Sequence, residues 1–182
     1  MARLPYVDPA SAPAEVRETL ARLPVPLRVF RMLAHAETSF RPLIQLGTTI
    51  LGRQQLSSKL RELVILRVAA LSPSRYEWTQ HVPIAHATGA TAEQVAAIER
   101  GDVEAACFDA AERIALRFAT EVLRDVRASD ATFTAAAQTF SPREIVELIL
   151  TVGYYMMVAR VLETTGVELD AAVGATVIDS IR

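Results

Sequence analysis

The densest run of side chains able to do chemistry is Ser74-Arg75-Tyr76-Glu77-Trp78-Thr79-Gln80-His81, which holds the only tryptophan and one of the three histidines. On a helix, Ser74, Glu77, Trp78, His81 and Ala85 recur at spacings of three and four and share a face. Glu77 and His81 are then close enough to share a proton. A carboxylate beside an imidazole orients the ring and favours its charged form, which suits general acid–base work. The same spacing also describes an ordinary Glu–His pair on a helix surface. Pro83 removes one amide hydrogen and is expected to kink this helix one turn past Glu77.

A second carboxylate stands at Glu62. Around it Leu60, Leu63, Val64, Val68 and Leu71 form one stripe, and Ile65, Leu66 and Ala69 fill most of the remaining surface. A helix apolar on nearly all sides is a buried helix. Glu62 either points into that apolar setting, where burial disfavours its charge, or sits on the surface in the first turn, favoured by the helix dipole.

These residues need helices to position them, and the chain supplies them. It has 182 residues, 51% of them apolar and 22% charged. That is one domain of sequence, with too much apolar content for a disordered chain. Ala, Leu, Arg and Glu abound and no strand-like alternation of any length occurs, so an all-α fold is expected. Helix starts are marked by Pro13, by the capping-box patterns Thr91-Ala-Glu-Gln94 and Asp109-Ala-Ala-Glu112, and by Ser141-Pro-Arg-Glu144. Gly89 and Gly101 mark stops. The reading is helices at 13–22, 26–36, 39–53, 57–71, 74–88, 92–100, 109–126, 130–138 and 142–164, with a tenth at 168–180. Residues 1–26 carry five of the nine prolines and read as an arm laid over the body of a single 1–182 domain. Arg61-Glu-Leu-Val64 is echoed by Arg143-Glu-Ile-Val146, compatible with two related helical halves.

Charge and composition exclude several functions. Nineteen basic residues against twenty-one acidic ones give a net charge of −2, so no global basic field exists for nucleic acid or an anionic membrane. The charge-free apolar run Leu148–Ala159 falls short of a bilayer span, and no signal-peptide core is seen near Met1. A cytoplasmic protein with no membrane partner is expected. Cys107 is the only cysteine and has no intramolecular disulfide partner. His86 lies on a different face from His81, His35 sits near a helix end, and no third ligand completes a metal site. Neither metal nor cofactor is expected.

The stretch Leu60–Gly101 combines Arg-Glu-Leu-Val-Ile-Leu-Arg-Val-Ala, Tyr-Glu-Trp-Thr-Gln-His, Ala-His-Ala-Thr-Gly and Thr-Ala-Glu-Gln-Val-Ala-Ala-Ile. In this it resembles the carboxymuconolactone decarboxylase family, which includes the AhpD-like alkylhydroperoxidases, and Phe118–Glu163 reads like the second half of such proteins. The resemblance implies an all-helical AhpD-like fold and association into dimers, trimers or hexamers. In the peroxidase branch a Cys-x-x-Cys precedes a histidine by four residues, with a glutamate in the preceding helix relaying protons. Carried over, the histidine falls at His81, the glutamate at Glu62, the two cysteines at Ser74 and Glu77, and the residue before the second cysteine at Tyr76. Thiolate attack on a peroxide needs sulfur, and Cys107 matches neither position. The chain resembles a cysteine-less branch carrying Tyr-Glu-Trp-x-x-His.

The family's namesake reaction decarboxylates an unsaturated lactone acid, which needs stabilisation of an enolate-like anion and a proton delivered to carbon. The resemblance therefore implies an acid–base enzyme acting on a small carboxylate or lactone, with Glu62, Glu77 and His81 as catalytic residues. Ser74, Tyr76 and Trp78 stand alongside as substrate contacts. Arg67 and Arg160 are candidates for a substrate carboxylate, whereas Arg61 and Arg75 read as solvated charges. Tyr154-Tyr155-Met156-Met157 either lines a pocket, with Tyr155 touching substrate, or packs in the core. The alternatives are an AhpD-like peroxidase and a non-catalytic helical oligomer that keeps the polar triad for structure.

Overall fold

The computed structural model describes residues 1–173 and Thr176. Among the described residues the regular structure is helical: α1 (Ala14–Ala21), α2 (Arg28–Leu33), α3 (Glu37–Arg53), α4 (Ser58–Leu71), α5 (Arg75–Ala87), α6 (Ala92–Arg100), α7 (Ala110–Asp125), α8 (Asp130–Thr139) and α9 (Pro142–Thr165). The expected all-α class and nine of the expected helices are present. Residues 168–173 have no regular secondary structure, Thr176 is helical, and the other residues of the expected tenth helix lie outside the described residues.

The helix ends follow their local chemistry. Full capping boxes form at Thr91–Gln94, Asp109–Glu112 and Ser141–Glu144, the last with Pro142 in the first turn. Gly101 and Gly166 close α6 and α9 in the left-handed conformation, with φ of 81° and 65°. Pro83 does not end α5, which is continuous from Arg75 to Ala87. The echoed Arg-Glu pairs do different work: Glu144 caps α9, whereas Glu62 is fully buried.

Helix α4 is the axis of the molecule and packs against α5, α6, α7 and α9. Every residue from Leu60 to Ala69 is buried, including Arg61, Glu62 and Arg67. One apolar cluster joins α4 to α7, α8 and α9 through Ile65, Phe118, Leu148 and Val152. A second joins the N-terminal arm, α1 and α2 to Phe40, Tyr76 and Leu162. A third packs Leu63 and Leu66 against α5, α6 and Leu116. Helix α9 is long and apolar enough to cross a membrane by composition, but half of its most apolar stretch is buried inside this bundle.

Glu112 fastens the start of α4 to α6 and α7. Its Oε2 accepts hydrogen bonds from Asp109 N at 3.0 Å and Gln94 Nε2 at 2.8 Å. Its Oε1 meets Lys59 Nζ at 2.7 Å. Glu112→Ala is therefore expected to cost more than a lost helix cap, about 2–4 kcal/mol, because buried donors are left without partners. Urea melts should show it as a fall in midpoint with an unchanged slope.

Candidate active site

Glu62 is completely buried, one and a half turns into α4, which excludes the surface reading. Its Oε2 lies 2.8 Å from His81 Nδ1 on α5. The geometry thus pairs His81 with Glu62 across two helices, and no Glu77–His81 hydrogen bond is formed among the described residues. With Glu62 as a carboxylate the shared proton resides on Nδ1, which leaves Nε2 as the ring nitrogen not engaged by Glu62. Tyr155 of α9 packs against the imidazole in a T-shaped arrangement, with ring centroids 4.9 Å apart and planes at 89°.

Arg61 corrects the expectation of a solvated charge, being only 2% exposed. Its Nε stands 3.6 Å from Glu62 Oε1, beyond hydrogen-bond range, and neither atom has another partner. Guanidinium, carboxylate and imidazole are thus neighbours in one buried polar row.

Glu77 lies on α5, one turn before His81. It is 3% exposed, and neither carboxylate oxygen has a hydrogen-bond partner. Burial pushes its carboxyl up to about 8; the nearby Ser74 hydroxyl opposes the shift without bonding to it, and the Glu163 carboxylate adds to it. At neutral pH Glu77 is an uncharged acid.

His81, Glu77, Tyr76 and Tyr155 face a cavity of about 580 Å³ between the N-terminal helices, α3, α5 and α9. Its walls are mostly apolar, with Leu33, Ile44, Ile84 and Val158 among them, while its exposed lining residues Arg22, Arg41, Gln45, Thr48 and Arg53 mark the mouth. Burial holds the Tyr155 hydroxyl well above its ordinary range, and the Glu62 carboxylate adds to this. Tyr154 is raised to about 12, first by burial and then by Glu77. Tyr154 fits only because residue 47 is glycine: a β-carbon there would collide with its hydroxyl and lie 2.8 Å from Cζ.

A strap of irregular chain crosses α5 beside the cavity. Asp170 accepts hydrogen bonds from Tyr76 Oη at 2.5 Å and from Arg28 N at 2.7 Å. Gln80 Nε2 donates to the carbonyls of Asp170 and Ala171, and Gln80 Oε1 accepts from Val173 N.

Of the substrate contacts expected from sequence, Tyr76 and Tyr155 line this cavity and four residues do not. Arg67 Nε is engaged by Thr120 Oγ1 at 2.9 Å on the α4–α7 side, because α4 is enclosed all round and its successive side chains face different partners. Arg160 is exposed and donates to Met156 O of its own helix. Trp78 packs on the third apolar cluster. Ser74 is buried at the start of α5, where with Trp78 it borders a separate shallow groove. The arginines missed by sequence reading are Arg41 and Arg53. Arg41, Gln45 and Thr48 recur at helical spacing along α3, a polar stripe that the sequence contained.

Residues 38–121 match the carboxymuconolactone decarboxylase family. No curated protein sequence matches the chain. Among solved structures, an uncharacterized peroxidase-related protein from Ralstonia eutropha JMP134, described as an alkylhydroperoxidase AhpD core, superposes with a TM-score of 0.79 at 18% identity, covering 100% of this chain and 97% of its own. A peroxidase-related protein from Silicibacter sp. TM1040 gives 0.77 at 20% identity, over 93% and 92% of the two chains. A cysteine-to-alanine variant of the debrominase Bmp8 bound to 2,3,4-tribromopyrrole gives 0.76 at 17% identity, over the whole of both chains. At these identities the shared property is the AhpD-like helical fold.

The raised Glu77 carboxyl has a consequence for stability. Below the unfolded value near 4.5 the group is protonated in both states, and its contribution is fully present. As pH rises towards about 8, the unfolded chain releases a proton that the folded protein keeps, so stability falls by up to about 1.4 kcal/mol per pH unit. Glu77→Gln removes this term. The stability of Glu77→Gln relative to wild type is expected to rise steadily from about pH 5 to about pH 8 and level off above, read from denaturant melts of both proteins across that range.

Proposed function

We propose that the protein is a carboxymuconolactone decarboxylase-like enzyme that moves protons on a small carboxylate or lactone. One observation carries the reading: an imidazole fixed through Nδ1 by a buried carboxylate at 2.8 Å, on the wall of a mostly apolar cavity that also receives a carboxyl held neutral. A substrate's apolar body occupies the cavity, and its carboxylate is met at the mouth by Arg41 and Arg53. Loss of carbon dioxide leaves the electron pair of the broken C–C bond on the substrate as an enolate. The neutral Glu77 carboxyl hydrogen-bonds the enolate oxygen, as a carboxylic acid kept protonated in an apolar site is able to do. Protonated His81 delivers its Nε2 proton to carbon and regains one from water. Glu62 orients the ring and compensates its charge throughout.

The peroxidase alternative finds no support in the side chains at the two cysteine positions, which are serine and glutamate. Cys107 lies in the loop before α7, packed on the third apolar cluster. Its thiol is held above its ordinary value, first by burial and then by the Glu93 carboxylate, the opposite of what a reactive thiolate needs.

The test is turnover of β-keto acids and unsaturated lactone acids in deuterium oxide, with the product's label read by mass spectrometry. One deuterium at the carbon that lost carboxylate is expected. His81→Ala should lower kcat/KM by about 10²–10⁴-fold, with Glu62→Gln losing less. Label and turnover unchanged in His81→Ala would end the acid–base reading. Peroxide consumption is expected to stay at the uncatalysed rate and to be identical in Cys107→Ser.

A further inference from the structure

The cavity beside His81 is larger than a simple lactone acid requires. At the roughly 30 Å³ that a water molecule occupies in the liquid, its volume of about 580 Å³ holds about fifteen to twenty non-hydrogen atoms with their hydrogens. A single lactone ring with its carboxylate fills only part of that space. Affinity for a mostly apolar cavity grows with the apolar surface a ligand buries in it, so the volume itself selects for a larger body.

The nature of that body follows from which wall groups are already engaged. Tyr76 donates to Asp170, Tyr154 donates to Leu43 O, and Gln80 is bonded through both ends of its amide to residues 170–173. What remains for a ligand inside is one cluster: His81, Tyr155 beside it, and the Glu77 carboxyl, neither of whose oxygens has a partner. A hydroxyl or amide elsewhere on a ligand would give up its water and gain no partner, which counts against sugars, nucleotides and peptides. The charge is one-sided as well. Arg22, Arg41 and Arg53 stand at the mouth, and Glu77 is the one acidic residue of the lining, uncharged at neutral pH. Arg22 and Arg41 lie 3.9 Å from Glu18 and 3.7 Å from Glu15 in loose exposed pairs, weak enough for a ligand anion to displace. Arg53 has no acidic partner among the described residues. We infer that the substrate is a long amphipathic carboxylate, with an anionic head at Arg41 and Arg53 and an uncharged, hydroxyl-free body of about fifteen non-hydrogen atoms filling the cavity. Its single further polar function lies beside Glu77 and His81. Only that last placement rests on the proton-transfer reading; head and body follow from the cavity.

The probes are saturated straight-chain carboxylates from butanoate to hexadecanoate, with the matching alcohols up to decanol, titrated calorimetrically below their micelle concentrations. Carboxylate Kd is expected to tighten about threefold to fourfold per methylene through dodecanoate, and to stop improving once the cavity is full. Ile44→Trp, which sets an indole into the cavity from the half-buried side of α3, should move that limit several carbons shorter. Thr48→Trp on the exposed rim gives the same reading should Ile44→Trp lose its helical circular dichroism. Arg41→Gln combined with Arg53→Gln, both exposed, should weaken carboxylates about tenfold and leave the alcohols unchanged. Affinity that stops rising before dodecanoate overturns the proposal. So does a limit that neither tryptophan moves, or an arginine variant that loses acid and alcohol equally. Saturated acids have no site to protonate, so these titrations are independent of the deuterium label. Binding of this pattern with label and turnover unchanged in His81→Ala removes the mechanism and keeps the substrate class, whereas labelled turnover of short acids with no gain from chain length does the reverse.

Discussion

The fold turns on a single constraint: α4 has no face towards water. Its ten consecutive residues from Leu60 to Ala69 are buried, yet three of them are charged. An isolated charge in such a place is prohibitively costly, so the surroundings are arranged around these three. Thr120 reaches in for Arg67, while Arg61 and His81 bracket Glu62. Helix α5 has to lie where it does for His81 to meet Glu62, and Tyr155 of α9 closes over the imidazole. The apolar clusters decide that helices pack here; the buried polar row decides in which rotation.

That arrangement separates two carboxylates only fifteen residues apart into opposite roles. Glu62 has a cation on one side and an imidazole on the other, and serves as an anion. Glu77 has neither and is left neutral by its surroundings. A site with one charged and one uncharged carboxyl flanking a histidine has an acceptor and a donor ready at the same pH, the pattern expected of a proton-transferring centre.

Much of this was legible in the sequence, for identifiable reasons. Capping boxes are local, so the starts of α6, α7 and α9 could be read from four residues each. The all-round apolar surface of α4 announced its burial, and Glu62 and His81 stood out through type and spacing. What could not be read was which way long side chains turn once a helix is enclosed. By sequence Arg61 reads as solvated and Arg67 as a substrate contact, because sequence gives the angle around a helix but not the neighbour at that angle. Trp78 shares a nominal face with His81, yet Trp78 packs on the third apolar cluster while His81 faces the cavity, since a face three or four residues wide spans more than one partner helix. The cavity itself is a tertiary object assembled from α3, α5, α9 and the arm, and Arg41 and Arg53 gain meaning only from that assembly.

The strap at Asp170 bears on how the molecule comes into being. Tyr76 and Gln80 are made early, but the groups that satisfy them, the Asp170 carboxylate and the backbone of residues 170–173, are made almost a hundred residues later. The helix bearing Tyr155 is also a late arrival. A growing chain can thus form its α4–α5 hairpin and pair Glu62 with His81 long before the chamber around them has a second side. The His81 imidazole gains that second side only when α9 brings Tyr155 against it.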